Sequence, residues 1–523
     1  MKPTMFSSLL RASLLTLLLP GAALADQEFP LPVDSAKVSV LTNGEYRLQI
    51  GVGSPIPVDA EGTELSQSGV LDQRLRVGVG LRADFITLAT EWDLFSGQLG
   101  GSAWGIPGTV DARNRHLVAA EDGLSALKFI PRKGSVTFAF PVATIEVGLV
   151  TSDWGLGLLA NSGNRDPYFG RNDFGDRTLR GRATFRPLMM NPKTKEGAKA
   201  AALNISAAFD YVIDDDFGRL ADRQTAVQGV ISALWYEPDH CRHGIYLVYR
   251  HQKELEFETT TDALVVDVLL DQHFTIGGGT ARLAMEAALI SGRTNRSPTW
   301  NSRDDVAVFS GAVTGLASVA MEGDRVGMDL RAGFASGDRD PDDGVSQDFS
   351  FDRDFDVGQV LFDELMGGVE AAAHALIIDP ENTGHPPDAI DGIVTEGAAR
   401  RTVFVQPMVH GKPVPMVNLR AGLLMAWSSG PIRHPFYGTR AGGAETNHHN
   451  EPAEGRYLGT EFDWSAGLEI PFTGSIMDPD PDAPRVEVLL QGGHAALGKS
   501  MRRADGSDPA VAHRLLMAAR LRW

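Results

Sequence analysis

A two-residue alternation runs through most of this chain, and it restricts the possible folds more than any other feature. In residues 74–82, Leu75, Val77, Val79 and Leu81 fall on one face, while Arg74, Arg76 and Arg82 fall on the other. Leu179, Ala183 and Phe185 are set against Arg180, Arg182 and Arg186 in the same way. Val326, Met328, Leu330 and Phe334 oppose Arg325, Asp329 and Arg331. At the chain end, His513, Leu515, Met517, Leu521 and Trp523 oppose Arg514, Arg520 and Arg522. Side chains point to opposite faces with this period only in extended backbone, so these segments are strands with one apolar and one charged face.

Segments of this kind number about 18, near residues 45–53, 69–83, 85–97, 134–141, 143–150, 175–187, 199–213, 222–237, 243–258, 262–275, 279–292, 304–321, 324–337, 400–411, 413–429, 456–471, 484–497 and 510–523. Their connections alternate in length. Ala83-Asp84, 141–143, 277–279, 322–324 and 410–412 are tight, whereas 54–68, 98–122, 151–174, 338–399 and 430–455 are long. The connections at 188–198 and 472–483 are longer than the rule wants, and those at 214–221 and 259–261 shorter. Short turns at one end and long loops at the other are the mark of a transmembrane antiparallel β-barrel, here all-β with 16 to 18 strands. A soluble sandwich or propeller is the rival, but it would place polar residues outside and show blade repeats, which are absent.

The N-terminus agrees with export. Lys2 and Arg11 precede an apolar run from Leu14 to Leu24, and Ala23-Leu24-Ala25 supplies a signal-peptidase site, so residues 1–25 read as a cleaved signal peptide and 26–523 as the barrel. The formal charge of −19 becomes about −21 once Lys2 and Arg11 are removed. So acidic a chain does not suit nucleic acid as a partner. Cys241 is the single cysteine, which excludes an internal disulfide, and no cysteine follows the leader to take a lipid anchor. No later apolar run approaches the roughly 20 residues of a spanning helix. The expected location is a bacterial outer membrane, with membrane lipid and lipopolysaccharide as neighbours and Trp523 as an aromatic end of the kind such barrels carry.

If the apolar face meets lipid, the arginines point inward, because arginine at the bilayer midplane costs roughly 2 to 4 kcal/mol. Arg74, Arg76, Arg82, Arg180, Arg182, Arg186, Arg325, Arg331, Arg420, Arg514, Arg520 and Arg522 are therefore candidate lumen and anion-selectivity residues. Guanidinium groups bind carboxylates bidentately, which suits a uronate or similar anion. The competing reading is that they pair with Asp210, Glu286, Asp329 and Glu487 and only hold the wall in shape. The function expected is a porin-like channel for an anionic small molecule or acidic polysaccharide; the alternative is a structural or adhesive barrel with a closed lumen, acting through its outer loops.

Acidic residues concentrate in the longest loop. Asp338, Asp340, Asp342 and Asp343 precede Gly344, a pattern able to wrap calcium but lacking the twelfth-position Glu of an EF-hand; a solvated or lipopolysaccharide-facing loop is the simpler reading. Apolar residues Val357, Val360, Leu361, Leu365, Val369, Ala372 and Leu376 recur at helical spacing and predict a helix that narrows the mouth, joins the wall or caps the rim. His448-His449 beside Glu445 offers metal ligands, although such a pair in a Gly-rich loop is more often exposed to solvent. Trp154-Gly155-Leu156-Gly157 fits no phosphate loop, and its glycines suit a tight turn near the rim. Neither Gly-x-Ser-x-Gly nor His-Glu-x-x-His occurs, so no enzyme is expected.

Phe334-Ala335-Ser336-Gly337-Asp338 followed by Asp340, Asp342, Phe349 and Phe351 resembles the strand-end and loop pattern of the alginate-export family of outer-membrane barrels, over about a tenth of the chain. That resemblance implies an 18-stranded barrel with an arginine-rich constriction through which an acidic polysaccharide leaves the cell. Residues 148–161 and 351–365 also resemble a deltaproteobacterial, largely myxobacterial, group of outer-membrane proteins, a likeness that runs over most of the chain and implies little about function.

Overall fold

In the computed structural model, the structure describes residues 27–33, 36–65, 69–101, 129–170, 175–190, 201–255, 258–296, 299, 305–321, 325–378, 381, 395, 397–436, 445–472, 483–503, 505 and 511–523. The expected leader, residues 1–25, lies outside them.

The alternating segments form a closed antiparallel barrel of eighteen strands. In chain order these are β1 (Ala36–Gly53), β2 (Val70–Ala83), β3 (Ile86–Gly101), β4 (Ile130–Ala139), β5 (Ala143–Thr151) and β6 (Arg177–Phe185). There follow β7 (Leu203–Asp215), β8 (Gln224–Glu237), β9 (Cys241–Glu254), β10 (Thr260–Ile276), β11 (Gly279–Thr294) and β12 (Val306–Ala320). The wall ends with β13 (Val326–Ala335), β14 (Thr402–Gly411), β15 (Val417–Ser428), β16 (Tyr457–Pro471), β17 (Arg485–Leu497) and β18 (Val511–Arg522). Each strand pairs with its neighbours in sequence, and β18 pairs with β1 from Glu45↔Arg522 to Gly53↔Arg514. Closure leaves no strand edge unpaired in lipid, which is what lets strands cross a bilayer.

The seam is completed in two pieces. Trp523 and Gly44 exchange backbone hydrogen bonds, and a Cβ on Gly44 would lie 2.5 Å from the Trp523 ring, so the close approach requires glycine. Beyond Thr42, where β18 has ended, the arm Gln27–Val33 pairs with β1 from Gln27↔Thr42 to Val33↔Ala36. It therefore continues the line of β18 along the same edge.

Burial follows the alternation. Val79, Leu81, Leu179, Leu247, Leu289, Met328, Leu330 and Met517 are exposed on the outer surface, an apolar band that only a lipid phase accommodates, whereas Asp72, Arg74, Asp210, Asp267, Glu286, Asp329 and Arg331 are buried inside. The eight even-to-odd connections, counting by strand, lie at one end and the longer ones at the other. The interior is packed. Phe349, Phe351, Phe355, Val360, Leu361, Phe362 and Leu365 form an apolar cluster against Ala312, Ala335, Phe404, Leu424 and Ala495 of the wall. The anticipated helix exists as α1 (Gly367–Ile378), entered by a wider turn at Leu361–Met366. It belongs to this interior packing and is not wall.

An arginine substituted for Leu289, central on β11 and outward, is expected to destabilise the barrel by about 2 to 4 kcal/mol. Urea unfolding in lipid vesicles measures this; a loss well below about 1 kcal/mol would place that face away from lipid.

Candidate lumen site

The long loop after β5, residues 152–176, does not stay at the rim; it descends into the barrel and returns. Each turn of its path is fixed by a wall residue. The Trp154 indole donates to Asp267 on β10 at 3.0 Å and stacks on Tyr246 of β9, with centroids 4.9 Å apart. The Leu156 amide donates to Glu286 on β11. Gly155 and Gly157 both have left-handed φ, +58° and +88°, and a Cβ on Gly155 would sit 2.3 Å from the Glu286 carboxyl carbon. The tight turn expected of these glycines is present, but at mid-height against the wall.

The loop then crosses to the opposite wall. Arg76 reaches Asn164 and the Gly163 carbonyl, Arg132 donates to the Ser162 carbonyl, and Asp166 receives Arg522 at 2.6 Å and lies 3.6 Å from Arg520. Tyr168 comes next, its ring beneath the guanidiniums of Arg331 and Arg420 at 4.7 and 4.9 Å, in cation–π range. The Gly170 amide donates to Gln491 on β17 at 2.8 Å.

Four of the expected lumen arginines meet around this tip. Arg74 pairs with Glu45 at 2.9 Å, Arg76 with Asp93 in a bidentate pair at 2.7 and 3.0 Å, Arg522 with Glu45 at 3.1 Å, and Arg520 with Glu487 at 3.4 Å. Arg47, which the alternation did not single out, joins them, and a cavity of about 40 Å³ lies between them and the loop. A register shift opposite Leu75/Arg76, where Leu94 has no partner, marks a bulge in β3 here, which re-aims the adjoining side chains. Asp166 has its carboxyl pushed up by burial, an effect outweighed by Arg522 and Arg520, which hold it below the usual carboxylate range.

The other expected arginines are dispersed. Arg180 binds Asp210 bidentately at 2.7 and 2.6 Å, and Arg514 pairs with Glu364 of the long loop at 2.7 Å. Arg331 also donates to the Asp356 carbonyl, and Arg420 to the Tyr168 carbonyl. Arg182 pairs with Glu146 from an exposed position, Arg186 donates to Asn204, and Arg82 and Arg325 are exposed close to the turn end, away from the cavity. Of the four acids expected to pair with arginine, Asp210 and Glu487 do so. Asp329 instead meets His410 at 2.9 Å, and Glu286 holds the loop amide.

The residues between β13 and β14 form the second insertion. Glu461 on β16 accepts from the amides of Gln359, Val360 and Leu361, the last two at 2.9 and 2.7 Å. Above it, a vestibule of about 440 Å³ opens toward the long-loop end, with Phe217, Tyr246, Phe349 and Phe362 among its apolar walls and Arg250, Arg296, Arg400, Arg401 and Arg433 among its cations. Asp348 is pushed up by burial, but Arg401 and Arg400 bring it down to about 2.

The expected calcium ligands take hydrogen bonds around the loop. Asp338 accepts from the amides of Asp340 and Gln347, Asp340 from Asp342, Asp343 from Val345, and Asp342 from the Thr299 hydroxyl. The contacts two residues apart stabilise turns, and the one from Thr299 ties the loop to the connection after β11. His448 and His449 correct the expectation of solvent exposure: they are 4 % and 8 % exposed, because the loop folds down onto the segment after β1, where His449 Nδ1 lies 3.0 Å from the Asp59 carbonyl. Glu445 lies 3.6 Å from Arg433.

Among solved structures, the chain is similar to OpdK of Pseudomonas aeruginosa crystallised with vanillate, at 13% identity over 92% of this chain and 99% of that one, with a TM-score of 0.48. It is also similar to OccK2 (OpdF) of the same organism in complex with glucuronate, at 11% identity over 92% and 96%, TM-score 0.45. A third is OccK5 (OpdH), 9% identical over 92% and 98%, TM-score 0.44. No protein-family model matches the chain and no curated protein does. The alginate-export resemblance thus rests on its own residues at 334–351. These likenesses are weak, and function is read below from this chain's own side chains.

Two outcomes are expected. Gly155→Ala puts a Cβ into Glu286 and an L-residue into left-handed backbone, at about 1 to 2 kcal/mol for the conformation alone; hydrogen exchange across 152–170 should rise while the wall stays protected. Unchanged protection would mean the loop is not anchored there. The second concerns pH. Burial lowers His434 to about 4, opposed by the Asp59 carboxylate and reinforced by His449. The unfolded imidazole titrates near 6.5, so between pH 6.5 and 4 the opened segment takes up a proton that the packed one refuses. Stability of this loop cluster should fall as pH drops through that window and stay flat above it, read by exchange protection factors at residues 445–450, corrected for the intrinsic pH dependence of exchange; pH-independent protection would contradict it.

Proposed function

We propose that the protein is an outer-membrane channel that passes a small anionic solute through its arginine-lined waist. The observation that carries this reading is the cavity at the loop tip, whose lining presents Arg47, Arg74, Arg76, Arg165, Arg520 and Arg522 beside Glu45, Glu91 and Asp166, while Asp93, Glu487 and Asp153 hold Arg76, Arg520 and Arg165 from outside the lining. A surface lined mainly by guanidinium groups suits carboxylates or phosphates better than cations. The vestibule supports the reading from the other side, because it combines aromatic walls with arginines suited to an organic acid.

The paired charges around the waist have a mechanistic role in this account. Arg74, Arg76, Arg520 and Arg522 are each held by a wall carboxylate, so their orientation is set before a solute arrives, which lowers the ordering cost of binding. A solute carboxylate can exchange with Asp166, the one acid of the group that comes from the loop. Movement of the 163–167 tip would then admit the anion to Arg520 and Arg522.

The same dense pairing favours a second reading, a closed barrel acting through its outer loops. Liposome swelling separates the two. With the full chain in vesicles, galacturonate should enter faster than galactose, and glucosamine slowest. Arg74→Ala combined with Arg520→Ala should abolish the preference for the acid. Absence of swelling with every sugar would favour the closed barrel, and a preference for glucosamine would overturn the anionic version.

A further inference from the structure

Asp176, Asp216 and Asp352 come from three separate connections, those after β5, after β7 and after β13, yet each offers a carboxylate oxygen within 4.8 Å of the other two. That spread matches oxygens placed around one cation at metal–oxygen distances of about 2.3 to 2.6 Å. Asp352 is 3 % exposed and Asp176 6 %. Two further observations point to a bound partner. Thr178, two residues along the inward face from Asp176, is 3 % exposed, its Oγ1 has no hydrogen-bond partner, and it lines the vestibule with Asp176 and Asp216. A buried hydroxyl without a partner is unfavourable, and a bound ligand satisfies it. Nearby carboxylates also outnumber guanidiniums: Asp214 pairs with Arg177 at 2.8 Å and Asp215 with Arg250 at 2.5 Å, while Arg353, whose Nε is 3.0 Å from Asp216, is shared with Asp214 at 3.7 Å.

We propose that Asp176, Asp216 and Asp352, with the Thr178 hydroxyl, bind a divalent cation, calcium by its all-oxygen donor set, which ties the three connections together at the floor of the vestibule. A divalent ion offsets this excess of carboxylate charge. Carboxylates bind calcium in their deprotonated form, so calcium and protons compete for the site. The site is separate from the 338–343 loop.

Calorimetric titration of the metal-stripped full chain in detergent with calcium chloride at pH 7.5 tests this. One calcium per chain should bind. Asp352→Asn and Asp176→Asn should each weaken binding about tenfold or more, and Thr178→Val, which keeps all three charges, should weaken it severalfold. Asp340→Asn should leave affinity unchanged, and binding should weaken at pH 5. Heat-modifiable mobility on gels confirms that each variant is folded; if a carboxylate variant does not fold, Thr178→Val and the pH dependence carry the test. Chelation should also speed proteolysis of residues 346–360 in the wild type. No binding by the wild type, affinity unchanged in Thr178→Val or the carboxylate variants, or a loss caused by Asp340→Asn would each overturn the proposal.

Discussion

The structure depends on one constraint: charges enclosed within an eighteen-strand wall must be paired there, because neither lipid nor bulk water can solvate them. Removing one partner of a buried pair typically costs about 3 to 5 kcal/mol. This is why Arg180 meets Asp210, Arg76 meets Asp93 and Arg514 meets Glu364 in close, largely bidentate or buried geometry. It is also why two loops lie inside. They bring the Asp166 and Glu364 carboxylates and the Leu156 and Gly170 amides that the wall's inward groups would otherwise lack.

The pairing that stabilises the lumen also shapes it. With Asp166 at the tip and Tyr168 under Arg331 and Arg420, the 152–176 loop leaves space beside the arginines of β1, β2 and β18 and little elsewhere at that height. Under the proposed function, stability and selectivity draw on the same residues. A substitution that neutralises Arg522 releases Glu45 and Asp166 together, so effects on folding and on passage should be coupled and non-additive.

The wall was largely legible in the sequence, since lipid outside and charge inside impose a two-residue period that each strand carries within itself. All eighteen expected segments became strands, with β1 starting nine residues earlier than its alternation suggested, at Ala36. The inward direction of the arginines followed from the same rule. What could not be read was which arginine meets which acid. Arg522 and Glu45 are joined only because the barrel closes, and Asp166 reaches Arg522 through a loop whose composition resembles any Gly-rich connection. The Trp-Gly-Leu-Gly turn carried a signal in its two glycines, but not the information that Glu286 lay opposite. Burial of His448 and His449 was likewise hidden, because it depends on how the 445–450 segment seats on residues far away in the chain.

The central claim, an anion-selective passage at the arginine waist, is tested most directly by the reversal potential of single channels in planar bilayers under a potassium chloride gradient. The account predicts a potential of the sign for chloride over potassium, shrinking as salt screens the guanidiniums. A potassium-selective potential, or membranes that stay silent with folded protein inserted, would contradict it.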